Sequence, residues 1–242
     1  MFHRAFFLSA TVNTLLLFLL STHAFAQTNP YRASGNTLYW KNKMPYPGYW
    51  QQDVHYKIQA DIDESTDIIT GKQSLTYYNN SPDTLHELFF HLYQNAFQPG
   101  SYLHDLQMAN GVKPSYGKYE AARQGTTIEK IQIYNHASAQ SQTPEIEIDN
   151  TILKVKLLQP LLPNDSSAIH FQFRTFYDNG STRRRMKKYN AWNFKHFNGC
   201  QWYPKVCVYD AHSGWNTDQH LNREFYGNFG TFEVELTFAS NY

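Results

Sequence analysis

From residue 56 to residue 62 apolar and polar side chains alternate. Tyr56, Ile58, Ala60 and Ile62 share one face, and Lys57, Gln59 and Asp61 share the other. A period of two is the mark of a half-buried strand and is incompatible with a helix. The pattern then repeats down the chain. A polar turn at 63–67 leads into a second strand at 68–78, with Gly71 inside it as a bulge or a close approach. The cluster NNSPD at 79–83 turns the chain again, and a third strand covers 85–93. Strands resume at 126–134, 151–158 and 167–176, where Ile169, Phe171 and Phe173 oppose His170, Gln172 and Arg174. The stretch GTFEVELTF places Phe232, Val234, Leu236 and Phe238 opposite Glu233, Glu235 and Thr237. Short strands joined by short turns predict an all-β fold, a β-sandwich or a saddle-like open antiparallel sheet. A high aromatic content, 17% of residues, suits pleated half-buried surfaces.

The remaining segments are less regular. Residues 1–26 read as a secretory signal peptide: Arg4, an apolar stretch densest in LLLFLL, then the small-x-small Ala24-Phe25-Ala26. Ser9, Thr11, Asn13 and Thr14 interrupt the apolar stretch and argue against a membrane anchor. The expectation is an exported chain, periplasmic or extracellular, with no membrane attachment after cleavage. Residues 27–50 read as an irregular lead-in and 51–242 as one β domain. Residues 94–125 lack a period, apart from a short helix near 102–108. ASAQSQTPE at 137–145 reads as a polar loop, and 178–228 as a long functional loop region.

No complete catalytic constellation stands in the sequence. HELFFH, from His86 to His91, imitates the zinc motif H-E-x-x-H but spaces its histidines by five. That puts them about 140° apart on a helix and on opposite faces of a strand. The alternation of Leu88, Phe90 and Leu92 favours the strand. His212 and His220, with Asp210 and Asp218, form the other histidine–carboxylate cluster, and it reads as a hydrogen-bonded loop rather than a metal site. The basic run Arg183, Arg184, Arg185, Met186, Lys187 and Lys188 reads as a solvated loop. A net charge of +1 does not suit a nucleic-acid partner. Trp192, Trp202 and Trp215 either pack inward or offer a stacking platform for sugars. Cys200 and Cys207 could form a disulfide only if the chain bends between them, which Pro204 can supply; two free thiols fit equally.

The order of these features resembles the N-terminal domain of M1-family (gluzincin) zinc aminopeptidases. The frame is Y-x-I-x-A-x-I-D at 56–63, I-x-G at 69–71, L-x-Y-x-N at 75–79 and L-x-x-L-x-F-x-L at 85–92. WYPKVCVYD follows at 202–210, and then Glu224-Phe225-Tyr226 and F-G-x-F-E-V at 229–234. The resemblance covers residues 50–242. It implies a saddle-like β domain that precedes a catalytic domain carrying G-x-M-E-N, H-E-x-x-H and one zinc, which removes residues from peptide N-termini. Neither motif occurs here. NAWNFKHFNG at 190–199 does not match the family's amine-binding Gln or Glu. No catalytic or metal-binding residue is therefore carried over, and the substrate-binding residues stay open. The expectation is the N-terminal portion of an exported peptidase, incomplete at its C-terminal end and inactive alone. Its zinc, peptide substrate and catalytic domain would belong to the longer protein. The alternative is a free-standing exported β-sandwich that binds carbohydrate or protein through its aromatic loop.

Overall fold

The computed structural model describes residues 33–37, 47–135, 140–183, 186–192 and 194–239. Residues 1–26, expected to be a signal peptide, and most of the lead-in lie outside them. Two compact units divide at residues 49 and 50. In the first, the described residues form turns, one closed by Asn36 N–H donating to Ala33 O at 3.0 Å.

The second unit is a two-sheet sandwich. Strands β1 (Asp53–Asp63), β2 (Ile68–Tyr78), β8 (Ser166–Phe176), β4 (Thr126–Asn135) and β5 (Gln140–Gln142) pair antiparallel in that order. Strand β14 (Thr231–Thr237) adds to the free edge of β1 in parallel, with Tyr56 opposite Phe232 and Ile58 opposite Val234. The second sheet runs β11 (Lys205–Val206), β3 (Leu85–His91), β7 (Ile152–Leu161) and β6 (Ile146–Asp149). The alternating apolar rows meet between the sheets. Tyr56, Ile58, Leu75, Ile169 and Phe171 from one pack with Leu88, Phe90, Leu153 and Val155 from the other. Burial of these side chains is the main stabilising term.

Two buried polar groups stitch the first sheet to the segment that ends in β11 of the second. Gln73 Nε2 donates to Pro204 O at 2.9 Å, and the Tyr56 hydroxyl accepts from Val206 N–H at 3.0 Å. Burial drives the Tyr56 hydroxyl far above its ordinary pKa, so it stays a neutral hydrogen-bonding group.

Gly71 is a close approach and not a bulge. It pairs in register with Phe173, and a Cβ there would sit 2.3 Å from the Phe173 ring. The bulges fall elsewhere, between Leu85 and Glu87 and between Ile128 and Lys130. The expected helix forms as α1 (Tyr102–Ala109), with the Ser101 hydroxyl accepting from His104 N–H at 3.0 Å as its N-cap.

Several expectations are corrected. The polar loop at 137–145 holds β5, which borrows the edge of β4, and β6 follows it on the edge of β7. The long loop region carries the hairpin β9 (Lys187–Ala191) and β10 (Phe194–Asn198) and the small hairpin β12 (Tyr209–Asp210) and β13 (Gly214–Trp215). Among its described residues the basic run is not solvated throughout. Arg183 is fully buried against Glu120 of the one-turn helix α2 (Lys118–Ala121). Lys188 and Lys195 both pair with Asp67 of the β1–β2 turn, Lys195 at 3.0 Å. Charge that looks free in sequence is spent on holding the hairpin to the sandwich. Finally, β14 does not bury one face while exposing the other: all seven of its residues are exposed.

Candidate functional site

Strand β3 ends at His91, and the chain turns through a single 3₁₀ turn, Tyr93–Ala96. His91 points away from the main core, yet it is buried. The cover is a strap at 216–226. Gln219 pins one end of it: its Oε1 accepts from Thr151 N–H at 3.0 Å and from the Thr151 hydroxyl at 2.6 Å, and its Nε2 donates to Asp149 O at 2.9 Å. The other end is pinned by the Tyr226 hydroxyl, which donates to Asp210 Oδ2 at 2.5 Å. That bond, chiefly, holds the Asp210 carboxyl below its ordinary pKa.

Beneath the strap the rings form one aromatic stack. His91 lies on Tyr93 with centroids 4.7 Å apart. Tyr93 meets His220 edge-on at 5.5 Å, and His220 stacks on Phe225 at 4.9 Å. Two hollows flank the strap. One, of about 400 Å³, is bordered by His91, Tyr93, Asp218, Glu224 and Tyr226. The other, of about 360 Å³, is bordered by Gln94, Phe97, Met186, Gln201 and Asn222. His220, Arg223, Glu224 and Phe225 border both.

The electrostatics suit binding more than chemistry. Burial, then Lys205, then His220 push His91 down to about 4, so its ring is neutral near pH 7. A neutral ring with that pKa is a poor proton shuttle at neutral pH. Its Nδ1 has no hydrogen-bond partner among the described residues. Gln94 is similar. Its Nε2 donates to Cys200 O and Gln201 O, both at 3.1 Å, while its Oε1 is buried and has no partner among the described residues.

The sequence candidates separate in space. His86 is exposed, in the bulge between Leu85 and Glu87, and His91 is buried beyond it, so the bulge and not the odd spacing decides where His86 points. His212 sits in the β12–β13 turn, where its N–H and that of Ser213 donate to Asp210 Oδ1 at 2.9 and 2.7 Å. His220 belongs to the strap, its ring against Tyr93 and Phe225. The structure therefore joins His91 to His220, a pairing the sequence did not suggest, and leaves His86 and His212 outside. Among the described residues no three His, Cys, Asp or Glu side chains are grouped to hold a metal ion; the residues present do not fit a catalytic zinc. Trp202 packs on Phe173 and Trp215 on Phe89, with centroids 6.2 and 5.5 Å apart, so both are packing residues. Trp192, at the β9–β10 turn, is 93% exposed. Cys200 and Cys207 are free thiols, and burial raises the Cys207 pKa far above its ordinary value. Gln94, Arg223 and the Tyr93 ring escaped sequence reasoning. The polar break YQNAFQ after an apolar strand was the one visible sign of Tyr93 and Gln94, and Arg223 had none.

No family model matches the chain, and no curated protein matches it. Among solved structures it is similar to a variant of an M1 zinc metallopeptidase from Deinococcus radiodurans bound to a Tyr-Ser-Ala substrate. The TM-score is 0.33 and the identity 13%, over 52% of this chain and 21% of that one. It is also similar to a variant of a two-domain M1 zinc metallopeptidase bound to L-arginine. There the TM-score is 0.40 and the identity 12%, over 82% of this chain and 35% of that one. The chain thus matches about a third or less of the length of these proteins.

Proposed function

We propose that this chain is the N-terminal β domain of an exported M1-type zinc aminopeptidase, with the zinc and the bond-breaking groups supplied by a following domain in the same protein. The observation that carries this reading is where the sequence frame falls in the fold. Y-x-I-x-A-x-I-D lies on β1, I-x-G and L-x-Y lie on β2, and L-x-x-L-x-F opens β3. The aromatic-Pro segment WYPKV ends in β11 of the second sheet and hydrogen-bonds to β1 and β2 of the first, and F-G-x-F-E-V ends on β14, beside β1. Motifs far apart in the sequence thus occupy consecutive positions around one core. In this role the domain itself performs no hydrolysis. The cleft under the strap supplies an aromatic, hydrogen-bonding wall that a peptide side chain can rest against.

The test has two parts. The transcript is read past the codon for Tyr242, and the longer product, if encoded, is assayed on aminoacyl-nitroanilides. The expected result is an in-frame H-E-x-x-H downstream, chelator-sensitive activity in the long product and none in the 242-residue chain. A stop codon directly after Tyr242 overturns the reading.

A further inference from the structure

The outward face of the six-stranded sheet is polar on every strand. Two rows of cross-strand partners run over it. One row is Glu233, Lys57, Ser74, His170 and Gln132; the next is Glu235, Gln59, Lys72, Gln172 and Lys130. Towards the β14 edge the charges are answered within the protein. Lys57 and His55 reach Glu233 at 3.2 and 3.4 Å, and Gln59 donates to Glu235 at 2.9 Å. Near the opposite end Arg174 pairs with Glu129.

The centre differs. Among the described residues Lys72, Lys130 and His170 have no carboxylate and no hydrogen-bond partner. All three surround Gln172. Lys72 and Lys130 are its direct neighbours on β2 and β4, and His170 lies two residues along on the same face of β8. The two lysines are two strand spacings apart, roughly 10 Å at Cα. Each ammonium ends a flexible stem of four methylenes, so both can close over one ligand centred on Gln172. A groove of about 250 Å³ covers these residues together with Ser74 and Lys57. With a net charge of only +1 for the whole chain, this concentration of unanswered cations is local and not a general basic surface.

We propose that this groove binds a phosphate-type dianion. A tetrahedral anion with two charges can take one ammonium from each side while the Gln172 amide and Ser74 hydroxyl donate from below. A single carboxylate would leave one lysine unmatched. The groove is on the opposite face of the sheet from the core, and it stands apart from the peptidase reading. The phosphate can be a soluble ester or a lipid headgroup, and the experiment separates the two.

The full chain is titrated with inorganic phosphate and, at matched ionic strength, with chloride, following backbone amides by NMR. In parallel it is sedimented with phosphatidylcholine vesicles with and without phosphatidic acid. The expected result is phosphate-specific shifts centred on Ser74, His170 and Gln172. Binding should weaken about fivefold or more in Lys72→Gln/Lys130→Gln and remain unchanged in the charge-matched control Lys113→Gln/Lys118→Gln. Circular dichroism checks that each variant keeps its fold. Sedimentation only with phosphatidic acid, lost in the Lys72/Lys130 variant, assigns the source to a headgroup; shifts with free phosphate alone assign it to a soluble ester. Shifts equal to those with chloride, or equal loss in both double variants, together with no such sedimentation, overturn the proposal.

Discussion

Arg183 Nε donates to Glu120 Oε1 at 2.7 Å, with both side chains essentially inaccessible to solvent. The pair closes a larger buried network. Arg183 Nη1 donates to Phe176 O at 2.8 Å and to Met186 O at 3.1 Å, and the guanidinium lies over the Phe97 ring, 5.4 Å from its centroid. Glu120 Oε2 accepts from Gly117 N–H at 2.8 Å, and Asp178 Oδ2 accepts from Tyr119 N–H at 2.7 Å. A Cβ on Gly180 would fall 2.0 Å from Glu120, so the loop passes where only a glycine fits. Removing one partner strands a buried charge. Arg183→Met is expected to cost about 3–5 kcal/mol, and Arg183→Met with Glu120→Gln distinctly less. Urea unfolding of the two variants checks this; equal losses would mean that the pair acts through packing alone.

Gly71 offers a second test. The Phe173 ring covers its Cα, leaving no room for a methyl group. Gly71→Ala is expected to destabilise by about 1–3 kcal/mol. Combining it with Phe173→Leu should recover part of that loss, because the two changes share one space. Purely additive losses in thermal unfolding would show that the ring does not constrain position 71.

These cases mark what was legible in the sequence. The period-two rows of β1, β2, β4, β7 and β8 were readable because burial on one face imposes alternation. The spacing argument for His86 and His91 does not carry through, because the bulge at the start of β3 interrupts the alternation between them. Arg183 was not readable: a basic run gives no sign of which arginine meets a buried glutamate 63 residues away. Strands β5 and β6 escaped because both attach to edges and bury almost nothing, so no apolar row announces them. The cleft under the strap was hidden for a related reason. Its members come from β3, the 3₁₀ turn and the strap, and only tertiary packing brings His91 to His220.

His91 predicts a pH dependence. Burial depresses its folded pKa to about 4, while an unfolded histidine titrates near 6.5. Between those values the unfolded chain holds the extra proton. Stability is therefore complete above about pH 6.5 and falls as the pH drops towards about 4, by roughly 3 kcal/mol at full extent. Lys205, His220 and Asp218 are the charged or titratable groups that act on it, and Asp218 opposes the other two. In His91→Leu the slope across this window should largely disappear. A slope that persists unchanged in urea titrations of the variant would place the titrating group elsewhere.

The Phe232 ring stacks on Tyr56, with centroids 4.7 Å apart and planes 4° from parallel. The apolar row of β14 thus continues the core row of β1. Tyr203 meets the Phe232 ring edge-on at 6.1 Å, yet Phe232, Val234, Leu236 and Phe238 remain 46–51% exposed. An apolar face beside an open strand edge promotes association. The 242-residue chain is expected to self-associate with concentration, and Val234→Lys should move it towards monomer. Its unfolding free energy should change by no more than about 0.5 kcal/mol, because the side chain is half exposed already. Sedimentation velocity and urea unfolding read the two quantities. In a longer product whose following sequence covers this face, the same lysine would be buried, and the substitution should then cost about 2 kcal/mol or more. The sign of the comparison is what matters: a benefit to the short chain and a penalty to the long one is the result expected if further sequence completes the sheet. If Val234→Lys associates as readily as the parent chain, β14 is not the contact face.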